Sequence, residues 1–142
     1  MEIEIRQPGP GEEESVLAAA ALFDHAPNAE TTKRFLTEPT HHLLIAVDGD
    51  ERAVGFISGV EVTHPDKGTE LFLYELAVDE AARRQGVGRR LVEALAAVGR
   101  ERGCYGMWVL TDDDNEAAMA TYARAGGRAS PHLMFEWDFT AS

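Results

Sequence analysis

Cysteine, basic charge and long apolar runs are all scarce in this sequence. Its single cysteine, Cys104, rules out an intrachain disulfide and any multi-cysteine metal finger. Cys104 follows Gly103 at the end of a helical pattern, where a small buried thiol is the plain expectation. Thirteen Lys and Arg stand against 25 Asp and Glu, a formal charge of −12 with a pI near 4.7. Nucleic acid is therefore not expected as a partner, and cationic small molecules are favoured weakly. No run of 18 apolar residues occurs and no basic-apolar leader is visible, so no membrane contact is expected, and a soluble, cytoplasmic protein is. The five histidines are scattered, with only His41 and His42 adjacent, and no metal site is expected. No serine or cysteine has a recognisable base partner, so a nucleophilic side chain forming a covalent intermediate is not expected. Repeats, linkers and low-complexity stretches are also missing. The 142 residues, 44% hydrophobic and 27% charged, fit a single domain spanning 1–142.

What is present reads as alternating strands and helices. Ile3 and Ile5 alternate with polar residues up to Gln7, and Pro8-Gly9-Pro10-Gly11 ends that short strand. Glu12, Glu13 and Glu14 suit a helix N-terminus, with Leu17, Ala20, Ala21 and Phe23 on an apolar face. Residues 29–37 form a second short helix. Residues 42–47 and 53–62 form a hairpin across the polar loop Asp48-Gly49-Asp50-Glu51-Arg52. A long strand over 69–78, a helix over 87–102, a strand over 105–110 and a helix over 116–124 follow. Leu133, Phe135, Trp137 and Phe139 alternate, which predicts a closing strand.

The chemistry concentrates where the strand Leu73-Tyr74-Glu75-Leu76-Ala77-Val78 runs into Arg83-Arg84-Gln85-Gly86-Val87-Gly88-Arg89-Arg90. From Val87 the apolar positions Val87, Leu91, Leu95 and Val98 share one helical face. The first N–H groups of that helix lack internal partners and carry the positive end of its dipole. Glycines at 86 and 88 leave the backbone open to an anion, and four arginines within eight positions add forked donors. A pyrophosphate is the natural guest. The dinucleotide fingerprint would need a third glycine where Leu91 stands, and the Walker pattern Gly-Lys-Ser/Thr is missing.

The pattern Arg83-x-x-Gly86-x-Gly88, after a strand ending Ala77-Val78, resembles the acetyl-coenzyme A pyrophosphate loop of the GNAT N-acetyltransferase superfamily. A second stretch, Asn115 to Gly127, is similar to the superfamily's Asn-x-x-Ala-x-x-Tyr/Phe-Tyr-x-x-x-Gly-Phe segment, with Gly127 where an aromatic residue is usual. The resemblance covers nearly the whole chain. Within the superfamily, Leu-Tyr-Glu-Leu-Ala-Val, Arg-Arg-Gln-Gly-Val-Gly, Thr111-Asp112-Asp113-Asp114 and His132-Leu133-Met134-Phe135-Glu136 look like the aminoglycoside 3-N-acetyltransferase branch, which usually has aspartate where this chain has Glu75. The fold implied is one α/β (α+β) domain, a mixed and mostly antiparallel sheet of six to seven strands flanked by about four helices. The cofactor implied is acetyl-CoA, the acceptor is a small polycationic amine, and a homodimer is implied by the habit of relatives.

Site roles follow the same resemblance. Acetyl transfer needs a neutral amine, a polarised carbonyl and a proton for the departing thiolate. Glu75, an ionisable group in an apolar strand, is the candidate base or ammonium ligand; the alternative is a carboxylate facing solvent or a salt-bridge partner. Tyr122 would protonate the coenzyme thiolate. Leu76, Ala77 and Val78 would offer backbone groups to the thioester and pantetheine, and Arg83, Arg84, Gln85, Gly86, Val87, Gly88 and Arg89 would hold the pyrophosphate. Asn115 either bonds the pantetheine arm or caps its own helix. Asp112, Asp113 and Asp114 either bind substrate ammonium groups or form a solvated turn. Two other readings stand beside transfer to an aminoglycoside: transfer to a protein amine, amino acid or polyamine, and a non-catalytic acyl-CoA sensor.

Overall fold

Val, Ile, Leu and Phe dominate residues 41–47 and 53–60, and the loop between them folds on itself, with Asp48 Oδ1 accepting from the N–H of Asp50 (2.9 Å) and Arg52 (3.0 Å). The hairpin so closed pairs β2 (His41–Val47) with β3 (Ala53–His64). In the computed structural model, which describes residues 2–140, β1 (Glu4–Arg6) adds to β2 and β4 (Gly68–Val78) adds to β3, all antiparallel. β5 (Met107–Trp108) lies parallel to β4, giving a mixed sheet in the order β1-β2-β3-β4-β5.

Helices cover both faces. α1 (Glu13–Leu17) and α2 (Ala29–Thr37) pack Val16 and Leu36 onto Leu43, Ile45, Val47 and Phe56. On the other face α3 (Val87–Glu101) buries Val87, Leu91 and Leu95 against Leu44, Ile57, Leu71 and Leu73. A Cβ on Gly59 would stand 3.0 Å from Leu95, so the glycine lets α3 settle directly on the strands. α4 (Glu116–Arg124) lies beside α3. Glu61, buried at the rear, accepts from His42 Nε2 (2.7 Å) and Arg102 Nε (2.8 Å). Burial pushes its carboxyl up, but those two partners outweigh this and hold it below the ordinary carboxylate range.

Three expectations need correction. The described residues form five strands, not six to seven. The helix expected to run from Glu12 to Phe23 stops at Leu17 and gives way to a single 3₁₀ turn, Ala20–Leu22. The closing strand is not formed either. Residues 133–139 keep their alternation but no described strand pairs with them, and Leu133, Phe135, Trp137 and Phe139 stand out in solvent. Alternation marks the two sides a strand would have but does not by itself make the pairing.

Candidate active site

The register of β4 contains one irregularity, and the site grows from it. Gly59 pairs with Leu73 and Ser58 pairs with Glu75, so Tyr74 is an extra residue, a β-bulge. Leu73 points into the α3 core, and strict alternation would send Glu75 there too. The inserted residue turns Glu75 to the opposite face, the face of α1 and α2, where it sits half-buried opposite Ser58. Burial raises the Glu75 carboxyl above its ordinary range, and the nearby carboxylate of Asp24 raises it further. Ser58 Oγ is buried there without a hydrogen-bond partner. Neither Asp24 nor Ser58 was singled out by sequence reasoning, because only the fold brings them to Glu75. Phe72, Tyr74 and Trp108 extend the same face as a strip, with Phe72 stacked on Trp108 at 4.3 Å and edge-on to Tyr74 at 5.7 Å.

Beyond the bulge β4 and β5 part company. Their ladder joins Leu71 with Met107 and Phe72 with Trp108 and then ends, so among the described residues the β5-facing edge of residues 73–78 has no partner strand. A gap between parallel strands can take an extended, amide-bearing chain by ladder-type bonds from Leu76, Ala77 and Val78.

Past Val78 the chain makes a 3₁₀ turn, Glu80–Ala82, and enters the glycine loop. Arg84 (φ 66°) and Gly86 (φ 77°) are both left-handed, the kind of backbone turn from which anion-binding concavities are built. Gly86 is the N-cap of α3 and no side chain caps it, leaving the first N–H groups of a 15-residue helix open. Gly88 allows close packing: a Cβ there would lie 3.2 Å from Thr121 Cγ2 and 3.6 Å from Val78 Cγ2. The arginines divide into two pairs. Arg89 is tied to Glu93 (3.4 Å) and Arg90 donates to the Ile3 carbonyl (3.0 Å). Arg83 is steadied only through Nε on the Val78 carbonyl (3.3 Å), so its remaining guanidinium N–H groups, like the Arg84 side chain, can meet an anion. The loop fits a pyrophosphate.

Tyr122 lies partly buried against the α3 core, on the far side of the sheet from Glu75, and burial raises its phenol above the ordinary tyrosine range. The two proposed proton handlers thus flank the β4/β5 gap from opposite faces. Asn115 Oδ1 accepts from the Ala118 N–H (3.1 Å), so it caps α4. Asp112, Asp113 and Asp114 are exposed in the turn before that cap, whose backbone bonds run from Asn115 N–H to Asp112 O and from Glu116 N–H to Asp114 O. The departure at Gly127 has a steric basis: its N–H donates to Tyr122 O (2.9 Å), and a Cβ would lie 3.0 Å from that oxygen. Gly126 at φ 98° completes this Schellman ending of the tyrosine-bearing helix. Among the described residues no cluster could hold a metal ion, and no helix is long and apolar enough to cross a membrane.

Known proteins resemble this chain in sequence and in fold. The chain is similar to L-2,4-diaminobutyric acid acetyltransferase of Streptomyces coelicolor, 33% identical over 63% of this chain and 54% of that protein. It spans about half the length of the curated relatives it matches. Its fold superposes on an aminoglycoside acetyltransferase from an uncultured soil metagenomic sample with a TM-score of 0.83, at 26% identity over 97% of this chain and 99% of the other. It also superposes on the aminoglycoside N-acetyltransferase AAC(6')-Iy in complex with CoA, with a TM-score of 0.80 at 21% identity over 97% and 95% of the two chains. The family model for the acetyltransferase (GNAT) family matches residues 6–127, and the chain belongs to that family.

Proposed function

We propose that this chain is an acetyl-CoA-dependent N-acetyltransferase that acts on a primary amine of a small polycationic acceptor, by direct transfer in a ternary complex. The observation that carries the reading is the bulge at Tyr74, which coincides with the opening between β4 and β5 and with a half-buried carboxylate at its mouth. Acetyl-CoA supplies an activated acyl group as its thioester. The Arg83–Arg89 loop would bind the pyrophosphate through open N–H groups, with Arg83 and Arg84 as outer clamps. The unpaired β4 edge would hold the pantetheine arm and offer an N–H from Ala77 or Val78 to the thioester oxygen.

Glu75 takes a proton from the acceptor ammonium, and its raised affinity for protons suits a base working near neutral pH. The freed nitrogen lone pair forms the C–N bond as the C–S bond breaks and Tyr122 gives its proton to the departing sulfur; the nitrogen, cationic once acylated, releases its second proton to solvent, from which the Tyr122 phenolate is reprotonated. A phenol held above its ordinary range stays protonated until that moment. The acidic surroundings of the acceptor face, Glu75 with Asp24, favour a multiply charged amine. Asn115 contributes by capping α4 through its Oδ1, and thereby placing Tyr122, rather than by bonding the pantetheine arm.

Aminoglycosides are the acceptor class supported by the structural neighbours, and short diamino acids the class supported by the diaminobutyrate relative. A coupled thiol-release screen over aminoglycosides, diamino acids, polyamines and peptides tests both. Turnover with a polyamino sugar supports the first, and the acetylated nitrogen, 3-N or 6'-N, is read from the product. Turnover with peptides alone overturns the reading. Coenzyme binding without thiol release from any amine identifies a sensor.

A further inference from the structure

We propose that Glu70 is a second ammonium-binding residue on the acceptor face, which commits the site to amines carrying another cationic nitrogen about 10–15 Å from the one acetylated. This rests on the acetyltransferase reading and narrows it. Residues 70, 72 and 74 of β4 fall on one face, the face to which the bulge returns Glu75. The side chains agree: Trp108, stacked on Phe72 at 4.3 Å, also donates from Nε1 to Glu70 Oε1. Glu70 and Glu75 thus stand at the two ends of the strip formed by Phe72, Tyr74 and Trp108. On β3 their partners are Val62 and Ser58, four residues apart, so the two acids are roughly 13 Å apart at the backbone.

The two carboxylates are tuned in opposite directions. Burial raises Glu75, which suits a group that handles a proton. At Glu70 the Tyr105 hydroxyl, with His64 Nε2 (3.0 Å) and the Trp108 indole N–H beside it, holds the carboxyl below its ordinary range against an opposing push from burial. Acids pushed apart in this way divide the work: one exchanges protons and the other keeps its charge. No cation cancels that charge. The hydroxyl and the indole are neutral donors, and among the described residues the ion-pair partner of Glu70 is an imidazole, His64, and not a Lys or Arg. Oε2 takes two of the three donors and Oε1 takes one, and a carboxylate has about four acceptor sites, so Oε1 can accept a further N–H. Between the acids the strip is open to an acceptor, with Tyr74 64% and Trp108 41% exposed, because α1 and α2 stop over β1 to β3. Its ring faces attract a cation passing over them. A short diamino acid cannot use both ends. At roughly 1.2 Å per bond of extended chain, nitrogens four bonds apart span about 5 Å, whereas the terminal nitrogens of spermine, about thirteen bonds apart, reach about 16 Å.

Calorimetric titration of the full chain with CoA bound, at low salt, tests this with L-2,4-diaminobutyrate, 1,4-diaminobutane, spermine and kanamycin. Wild type should bind at least one of the two long acceptors roughly tenfold or more tightly than either short amine. Glu70→Gln should weaken that long acceptor by about fivefold to thirtyfold, an effect that shrinks in added salt, and should weaken the short amines by less than about twofold. Glu101→Gln removes an equal charge from an exposed position at the end of α3 and should leave all four unchanged. Phe72→Leu keeps every carboxylate and should also weaken the long acceptor, which preserves the test should Glu70→Gln fold poorly. Which of spermine and kanamycin follows this pattern tells a linear polyamine from an amino sugar. Long acceptors bound no better than short ones overturn the proposal, as does a Glu70→Gln variant that binds them within about twofold of wild type. The expected binding pattern without thiol release from any of the four upholds the subsite and overturns the transferase reading instead.

Discussion

The two glycines of the anion loop are both needed, for different reasons, and a pair of substitutions separates them. Gly86 sits at φ 77° with nothing within 4 Å of a built Cβ, so its constraint is the backbone alone. Alanine there pays about 1–2 kcal/mol for the left-handed conformation, less about 0.4–1 kcal/mol from a less flexible unfolded chain. The net is about 1 kcal/mol, a few degrees of Tm, or a rotated peptide whose N–H leaves the concavity. Loss of one charge-assisted bond to phosphate is about 1.5–3 kcal/mol, so affinity for CoA should fall by roughly tenfold to a hundredfold. Gly88 is not left-handed. Its Cβ would meet Thr121 Cγ2 at 3.2 Å, and Thr121 cannot simply rotate, because its Oγ1 donates to the Ala117 carbonyl at 3.0 Å. Thr121→Ser keeps that bond and deletes the obstructing methyl. In a double-mutant cycle Thr121→Ser should restore about 0.5–1 kcal/mol to Gly88→Ala and nothing to Gly86→Ala. Calorimetric CoA titration and thermal melts of the six proteins read this directly. Equal rescue of both, or a neutral Gly86→Ala, would refute the division of labour.

Glu75→Gln should lower turnover by about a hundredfold or more and flatten its rise with pH, measured by thiol release. Because the folded carboxyl is raised, its proton is held more tightly in the folded state, so ionisation near neutral pH opposes folding. The same Gln variant should therefore melt higher than wild type at pH 7 and lose that advantage in acid. Tyr122→Phe should leave CoA affinity unchanged within about twofold while lowering the transfer rate by roughly tenfold or more in single-turnover experiments, since phenylalanine keeps the ring's packing against the α3 core. Glu61→Gln should cost about 2 kcal/mol at neutral pH through its bonds to His42 and Arg102. As the Glu61 carboxyl is lowered in the folded state, that contribution is present above the unfolded pKa of about 4.3 and vanishes as pH falls through the folded value. Urea melts from pH 7 to 3 should show the wild-type and Gln curves converging.

Features encoded within a few residues were legible, and features that depend on pairing were not. α2 and α4 occupy residues 29–37 and 116–124 as expected, since Asn28 and Asn115 cap their starts and Gly126 ends the second. The β2–β3 hairpin and the glycine loop are equally local. What Arg90 meets, by contrast, is not legible in sequence: only the fold brings its guanidinium to the Ile3 carbonyl. Asp24 lies 51 positions from Glu75, at the end of a turn whose path no periodicity describes. The strand expected at 133–139 is not formed although its residues alternate: alternation says which side of a strand would be apolar, and no described strand pairs with it.

The bulge at Tyr74 joins these two levels. A strand buried on both faces has no reason to tolerate an ionisable residue, because either face would desolvate it. One inserted residue lets Leu71 and Leu73 stay with Leu91 and Leu95 while Glu75 moves to the partly open face, and Leu76 and Val78 then resume packing toward α3. The same insertion disturbs the strand just beyond its last bond to β5, so the gap opens where the carboxylate appears. Carboxylate placement and cleft formation are thus one structural event. A sequence lacking that insertion would have to choose between a continuous core and a basic group at the cleft, which is why the extra residue sits at Tyr74 and not elsewhere along β4.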